Sequence, residues 1–193
     1  MSLDVLALLN KTGALLQGHF RLSSGLHSPN YVQCALLLQN PRNAKAIGEE
    51  LGRRVRSMKP QKIAAPALGG VIIGYTVAEA LDLPFVFTER KEGQMTLRRG
   101  FRFTQGERVV IVEDVVTTGK SSLEAADVVA GHGGLVFGFA SILNRSLGDD
   151  PFNKPYECLL SLSLETWEER SCPLCARGMP VDAPGSRHAM SKR

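Results

Sequence analysis

Two adjacent carboxylates, Glu113 and Asp114, stand just before a segment of hydroxyl, glycine and lysine residues that runs from Thr117 to Ser121. Carboxylate oxygens bind sugar hydroxyls or a divalent cation. A glycine-containing turn that opens a helix attracts phosphate instead, through unpaired backbone N–H groups and the helix dipole. A single ligand with a phosphate and neighbouring hydroxyls suits both groups, so the pattern predicts a site for a ribose 5-phosphate.

The residues on either side must position this segment. Val109 to Val112 is a β-branched apolar run, typical of a strand buried on both faces. After the turn, apolar residues recur at helical spacing from Leu123 to Ala130. This order places the acids and the turn beyond the carboxyl end of a strand, where open α/β sheets bind ligands. The competing interpretation is an ordinary strand-to-helix turn with a Ser121-x-x-Glu124 capping box.

The segment resembles the 5-phosphoribosyl 1-diphosphate (PRPP) motif of type I phosphoribosyltransferases, a hydrophobic strand followed by two acids and a threonine-rich loop. The resemblance implies an α/β fold with a mostly parallel twisted sheet flanked by helices. It also implies a small hood, built from the N-terminal region and the C-terminal segment. Glu113 and Asp114 would hold ribose hydroxyls, and Asp114 would be catalytic by stabilising positive charge on the sugar. The expected 5′-phosphate loop comprises Val115, Val116, Thr117, Thr118, Gly119, Lys120 and Ser121.

The same resemblance implies Mg²⁺ as cofactor, with no direct protein ligand. PRPP would hold most of the ion, with water between it and Asp114. A second PRPP contact is expected where the strand Lys62–Pro66 ends. The glycine-containing loop there would bind the diphosphate through Leu68 and Gly69, with Leu68 standing where relatives often carry lysine.

Residues 89–102, here called the lid segment, carry an excess of positive charge. Alone, such a charge run is usually a solvated loop. Next to a phosphoribosyl motif it suits a mobile lid that excludes water and stabilises a departing diphosphate. The basic residues are Arg90, Lys91, Arg98, Arg99 and Arg102, against the acids Glu89 and Glu92.

Arg90-Lys91-Glu92 matches the start of the family's lid, which in those enzymes covers the substrate of the other subunit. The resemblance therefore implies a homodimer, with Arg90 and Lys91 binding PRPP and with Lys91 and Arg98 catalytic. A role for Arg98 would be electrostatic, because arginine keeps its proton at neutral pH. The lysine and histidine that many members carry after this point are absent, and Gln94 and Thr96 stand nearby.

Residues 18–31 resemble the N-terminal hood of orotate phosphoribosyltransferases, with Ser23 where many members carry a lysine. Arg145 follows the apolar strand 135–143 and matches the arginine that binds the orotate carboxylate in that family. With Thr117, it would orient orotate. The expected reaction transfers the phosphoribosyl group of PRPP to orotate, giving orotidine 5′-phosphate and diphosphate for pyrimidine synthesis. The matching hood positions are Phe20, Leu22, Ser24, Gly25, Ser28 and Pro29.

Three other interpretations stay open from the sequence. The ribose-phosphate motif does not read the base, so a phosphoribosyltransferase for a purine or another base is one of them. A PRPP-sensing regulator that binds nucleic acid is the second. The third is a catalytically weak relative, because of Ser23 and the altered lid segment.

Composition limits the class of protein and its partners. The chain has 193 residues, of which 44% are hydrophobic and 22% charged, as in ordinary globular proteins. The net charge is +4, but three basic residues lie in the last eleven, which contain no acid. The remainder is close to neutral and argues against a nucleic-acid surface. With no membrane-length apolar run and no secretory signal, we expect a cytoplasmic protein.

The predicted organisation is one domain over residues 1–182, with a hood of about 1–40 plus 165–182, a core of about 41–164, and a flexible tail over 183–193. Within it, Cys172-x-x-Cys175 has the spacing of half a zinc knuckle or of a redox pair. The other half is missing from the local sequence. Cys158 and His188 could complete it only if the fold brings them close, and a purely structural use is the competing interpretation.

Overall fold

A computed structural model of the chain describes residues 3–22, 24–146 and 150–184. Ser23, His188 and all but the first two residues of the predicted tail lie outside the described residues.

A six-stranded sheet forms the core, in the strand order β5-β4-β3-β6-β7-β8. The strands from β4 to β8 in this order run parallel, and β5 is antiparallel to β4 at the edge. The predicted α/β class with a mostly parallel sheet is confirmed. The strands are β3 (Lys62–Pro66), β4 (Phe85–Lys91), β5 (Gln94–Leu97), β6 (Arg108–Val116), β7 (Leu135–Asn144) and β8 (Tyr156–Ser161).

Helices cover both faces of the sheet. The apolar residues of α1 to α4 pack together on one face, and α5 packs on the other. α3 begins after an N-cap, because the Asn40 side chain accepts a hydrogen bond from Arg42 N and Pro41 occupies the first turn. The helices are α1 (Val5–Lys11), α2 (Cys34–Leu38), α3 (Pro41–Val55), α4 (Gly70–Leu81), α5 (Lys120–Gly131) and α6 (Pro173–Ala176).

The valine-rich strand β6 lies at the centre of this arrangement. Val110 and Val112 are fully buried on the face of α3 and α4, while Val109 and Ile111 are fully buried beneath α5. A strand between two helical layers has no solvated face, which explains the continuous apolar run.

A separate two-stranded hairpin, β1 (Leu15–Arg21) and β2 (His27–Val32), contains most of residues 18–31, the segment that resembles the family's N-terminal hood. The C-terminal segment lies against it. Trp167 pairs with His27 on β2, and Asp182 pairs with β1 beside Phe20. The domain bounds at residues 40, 165 and 182 stay predictions.

Two elements differ from the sequence prediction. β6 continues through the acid pair to Val116 rather than ending before it, because its pairing with β7 extends to Asn144. The lid segment contains a strand, β5, that forms a hairpin with the end of β4. Its turn residues, Glu92 and Gly93, both have positive φ, as two-residue hairpin turns require. Among the described residues, no helix is long and apolar enough to cross a bilayer.

Candidate active site

The two acids lie on β6 where it passes the end of β3. Glu113 is 8% exposed, and its Oε1 accepts a hydrogen bond from Asp114 N at 3.2 Å. The Asp114 carboxylate bends back onto the backbone and accepts from Val115 N at 2.8 Å. The strand therefore presents two neighbouring carboxylates at one edge of the sheet.

Burial and mutual repulsion oppose the ionisation of these acids. Burial raises the pKa of Glu113 well above its ordinary value, and the neighbouring charge of Asp114 raises it further. Burial also raises the pKa of Asp114, although hydrogen bonds from Glu113 and from Val115 N act in the other direction. Burial and the neighbouring charge therefore favour the protonated form of Glu113. Hydroxyl donors or a cation would favour the charged form.

The loop after β3 touches the acid pair. A Cβ on Gly69 would lie 2.7 Å from both carboxylate oxygens of Asp114, and one on Gly70 would lie 2.9 Å from Val112 O. Only glycine leaves the acids room at these positions. Leu68, next to Gly69, is 83% exposed, and the Ala67–Leu68 peptide bond is cis. The predicted diphosphate loop and the predicted ribose site therefore adjoin, as expected for neighbouring parallel strands.

The predicted 5′-phosphate turn follows directly. Thr117 and Thr118 are exposed, and α5 begins at Lys120, after Gly119. Lys120 N lies 3.4 Å from Thr118 Oγ1. The helix therefore starts at the predicted place, and the capping-box interpretation is wrong, since Ser121 lies inside the helix and Glu124 pairs elsewhere.

A polar cavity of about 50 Å³ occupies this turn. Two larger depressions, of about 540 and 610 Å³, lie beside the end of α4 and between α1 and α3, and neither contains a predicted site residue. We assign the site by its chemistry, because the small cavity joins Glu113 to the predicted phosphate turn at the N-terminus of α5. Its lining comprises Glu113, Val115, Val116, Thr117, Thr118, Gly119, Lys120, Ser121 and Ser122.

Gly119 shapes the turn. Its φ is +69°, and a Cβ would lie 2.9 Å from Phe152 Cε1 and 3.0 Å from Pro151 Cβ. Both the backbone conformation and the close packing require glycine. The turn that aims the N–H groups of α5 outward is thus held by residues far along the chain.

The lid segment lies as a hairpin beside α5. Arg90 pairs with Glu124 of α5, and its Nη1 also donates to Gly93 O at 3.0 Å. This ion pair ties the start of the lid segment to the helix that carries the phosphate turn. The half-exposed setting of both side chains makes it a weak tether.

The other basic residues of the lid segment do not reach the acid pair in this form. Arg98 and Arg99 lie 3.4 and 3.0 Å from the carboxylate of Glu89, on the same hairpin. Arg99 also lies over the ring of Phe87, 5.5 Å from its centre. Lys91 is exposed and has no partner among the described residues.

Arg145 lies beside the phosphate turn, immediately after β7. Its backbone N donates to Val116 O at 2.7 Å, which makes it a neighbour of Thr117. Its buried Nε has no hydrogen-bond partner, and no acid pairs with it among the described residues. Burial lowers the pKa of this guanidinium. A half-buried, unpaired guanidinium is suited to bind a carboxylate.

Tyr31 is a site residue that the sequence did not single out. Burial and the charge of Asp114 raise the pKa of its hydroxyl, while Arg145 lowers it. The end of β2 therefore places a phenol within electrostatic range of both Asp114 and Arg145. No local motif marks it, because the contact depends on how the hairpin sits on the sheet.

Comparisons with known proteins show the family to which the chain belongs. Residues 35–174 match the family model described as a phosphoribosyl transferase domain. The chain is 46% identical over 187 residues to an orotate phosphoribosyltransferase of Carboxydothermus hydrogenoformans, covering 96% of this chain and 98% of that protein. A Thermotoga maritima protein of the same name is 46% identical over 180 residues, covering 93% and 96%.

Solved structures agree on the fold. An orotate phosphoribosyltransferase from Aeropyrum pernix superposes with a TM-score of 0.67 at 24% identity, over 82% of this chain and 94% of that one. An adenine phosphoribosyltransferase from Leishmania donovani gives 0.60 at 23%, over 82% and 80%. The fold is thus common to enzymes named for different bases, so it does not identify the base. The relatives with 46% sequence identity are both named orotate phosphoribosyltransferase. On that ground, this chain belongs to the orotate phosphoribosyltransferase family.

Proposed function

We propose that this protein transfers the phosphoribosyl group of PRPP to orotate, giving orotidine 5′-phosphate and diphosphate. The bond from the anomeric carbon to the diphosphate oxygen breaks, the bond to N1 of orotate forms, and the N1 proton is released. The observation that carries the proposal is the meeting of three groups at one sheet edge. These are the acid pair Glu113–Asp114, the phosphate turn 117–121 and the unpaired Arg145.

Each group suits one part of the substrates. The N–H groups and hydroxyls of the turn, together with Val115, Val116 and Lys120, would bind the 5′-phosphate. Glu113 and Asp114 would accept hydrogen bonds from the ribose hydroxyls, and ionised Asp114 would stabilise an oxocarbenium-like sugar. Leu68 and Gly69 would contact the diphosphate through the backbone. Thr117 and Arg145 would orient orotate, with Tyr31 beside them.

The lid segment would complete the site when it closes. Arg90, Lys91 and Arg98 are the residues proposed to bind or stabilise the diphosphate as its negative charge grows. In this form Arg90 and Arg98 are held by Glu124 and Glu89, so closure must exchange those partners for the diphosphate. The chain alone does not bring Arg98 to the acids, which fits a lid that acts on the active site of a second subunit in a homodimer.

Mg²⁺ fits the donor groups present. Two adjacent carboxylates with raised pKa values lie where a diphosphate would sit, so added positive charge would relieve their repulsion. PRPP itself would hold the ion, with water between it and Asp114. The ion would neutralise the leaving diphosphate. The setting proposed for this reaction is the cytoplasm.

A base panel tests the proposal. We expect PRPP-dependent consumption of orotate with one equivalent of diphosphate released, and loss of turnover when Mg²⁺ is chelated. Uracil, which lacks the carboxylate, and adenine should react at least about 100-fold more slowly, as expected when a buried guanidinium loses its anion. Faster use of adenine or another base would replace orotate as the substrate. Tight PRPP binding without turnover of any base would favour the sensor or a catalytically weak relative.

A further inference from the structure

Four metal-binding side chains meet in the hood, away from the acid pair. His19 lies on β1, His27 lies on β2, and Cys172 and Cys175 bracket the first turn of α6. Their ligand atoms all lie within 4.8 Å of one another. His19 Nε2 is 2.9 Å from His27 Nδ1 and 3.5 and 3.7 Å from the sulfurs of Cys172 and Cys175. His27 Nδ1 is 3.2 Å from Cys175 Sγ.

These separations are close to the edges of a tetrahedral zinc site. With Zn–S of about 2.3 Å and Zn–N of about 2.05 Å, tetrahedral angles place ligand atoms about 3.3 to 3.8 Å apart. The four atoms could accommodate an ion between them after shifts of a few tenths of an ångström for most pairs. Two sulfurs and two imidazole nitrogens in this arrangement are typical of zinc.

The electrostatics also favour a doubly charged ion. His19, His27 and Cys172 are at most 3% exposed. Two thiolates and two neutral imidazoles carry two negative charges, which Zn²⁺ would cancel. A neutral, fully ligated centre is the form in which such groups are tolerated in a buried setting.

The hydrogen bond behind His19 fixes the direction of its lone pair. His19 Nδ1 lies 2.9 Å from Met179 O, and a carbonyl oxygen only accepts, so Nδ1 carries the proton. Nε2 therefore points an unprotonated nitrogen at the other three ligands. This outer contact is the one that zinc-binding histidines usually make.

Backbone contacts hold the two arms of the cluster together. His27 and Trp167 exchange two backbone hydrogen bonds, and Asp182 bonds to both His19 O and Arg21 N. After α6, Gly178 takes a φ of +68° and turns the chain so that Met179 O reaches His19. The C-terminal segment thus crosses both strands of the hairpin around the four ligands.

The partners differ from those considered in the sequence. Cys158 lies on β8 with its sulfur 3.4 Å from Ser161 Oγ, outside the cluster, and His188 lies outside the described residues. The other two ligands of a zinc knuckle are instead His19 and His27, which lie about 150 residues earlier in the chain.

We propose that His19, His27, Cys172 and Cys175 form a structural Zn²⁺ site that fastens the C-terminal segment to the β1–β2 hairpin. All four tetrahedral positions belong to the protein, so the site leaves none for a substrate. The proposal does not depend on the reaction proposed above, because its readout is metal content.

Metal analysis of the full chain, purified without added metal or chelator, tests the proposal. We expect about one zinc per chain by mass spectrometry, and its release when an organomercurial blocks the thiolates. The Cys172→Ser/Cys175→Ser variant should lose the zinc. The Cys158→Ser variant should retain it, since Cys158 is a free cysteine outside the cluster. A Co²⁺-substituted sample should show tetrahedral ligand-field bands with thiolate charge transfer.

Thermal unfolding provides the second measurement. Chelation should lower the Tm of the wild-type chain and of Cys158→Ser, and added zinc should restore it. Zinc-free wild-type chain that does not bind added Zn²⁺ under reducing conditions would overturn the proposal. So would a Cys172–Cys175 disulfide that forms in the native chain and leaves its Tm unchanged on reduction. These outcomes are read on the wild-type chain, so they stand even if the double variant fails to fold.

Discussion

Glu113 and Asp114 are adjacent in the chain and share one buried edge of the sheet, and this sets their protonation. A pKa raised in the folded state means that the folded chain binds a proton more tightly than the unfolded chain. The associated stability is fully present below the unfolded pKa of about 4.3 and is lost as the pH rises through the raised folded value. The free enzyme therefore sacrifices stability at neutral pH to keep two acids at the site.

Glu113→Gln should stabilise the protein at pH 8, since it removes a buried carboxyl whose pKa is raised by burial and by the charge of Asp114. Glutamine mimics the protonated acid and keeps an oxygen for Asp114 N. The gain, measured by denaturant unfolding, should shrink toward zero near pH 4, while PRPP binding weakens. The control is Glu107→Gln, which removes the negative charge that pairs with the largely buried Lys62 at 2.7 Å and should destabilise the protein. Equal effects of Glu113→Gln at both pH values would contradict the pKa assignment.

Arg145→Ala should raise the KM for orotate about 10- to 100-fold and the KM for PRPP less than about threefold. A charged hydrogen-bonded pair is worth about 1.5–3 kcal/mol, and the proposed partner of the unpaired guanidinium is the orotate carboxylate rather than the phosphate of PRPP. Steady-state kinetics with each substrate varied separately measure the difference. The slow rate with uracil should not change, because uracil has no carboxylate. Similar increases in both KM values would remove Arg145 from the base site.

At the scale of elements, the start of α5 is determined by its glycine and by what packs over it. The N–H groups of the first turn face the cavity only because Gly119 adopts a left-handed conformation against Pro151 and Phe152. The lid segment is the other functional element, and its hairpin is tied to α5 by the Arg90–Glu124 pair. The predicted phosphate turn and the lid segment are therefore both attached to α5.

Gly119→Ala should lower the free energy of unfolding by about 1–3 kcal/mol, because an alanine at positive φ is strained and its Cβ would contact Phe152. The KM for PRPP should rise as well, since the turn must shift. The matched control at the other end of α5 is Gly131→Ala. It has open space and no positive φ, so it should be neutral or stabilising by up to about 1 kcal/mol. Denaturant unfolding of both variants checks this, and equal stability would contradict it.

At the scale of the whole molecule, the sheet brings the residues of the proposed substrate site together but does not bring the arginines of the lid segment to them. The acids, the turn and Arg145 lie together, whereas Arg98 and Arg99 are held by Glu89 on the edge hairpin. Lys91 is exposed. To act on the acids of its own chain, the lid segment would have to break the β4–β5 hairpin. To act on the site of a neighbouring subunit, the lid segment could keep that hairpin.

Mixing Lys91→Ala chains with Asp114→Asn chains should restore activity if lids act across a dimer. Each variant alone should be slow, with kcat for Asp114→Asn lowered about 10²- to 10³-fold by loss of an electrostatic group. In a mixed dimer, one site would combine an intact lid with an intact acid pair. Refolded mixtures at varied ratios measure this, with Lys91→Ala mixed with itself as control. Activity no higher than the weighted sum of the two variants would contradict a shared lid.

Hydrophobic periodicity and turn residues predicted the centre of the fold, because they act locally. The buried strand at Val109 and the turn before α5 both appear where expected. β5 was missed because its alternating run of four residues, Gln94 to Leu97, is too short to predict a strand by itself, and its pairing depends on the hairpin turn at Glu92–Gly93. Tyr31 was missed because nothing near it in the chain indicates the contact.

The sequence by itself determined the chemistry of the acid pair and the phosphate turn, because consecutive residues on a strand and its following turn cannot separate. Only the tertiary structure decided what comes together across the chain. It placed Gly69 against Asp114, set Tyr31 beside Arg145, and joined His19 and His27 to Cys172 and Cys175. Such contacts depend on sheet order and on how the hairpin packs, and residues 150 positions apart leave no local pattern of their meeting.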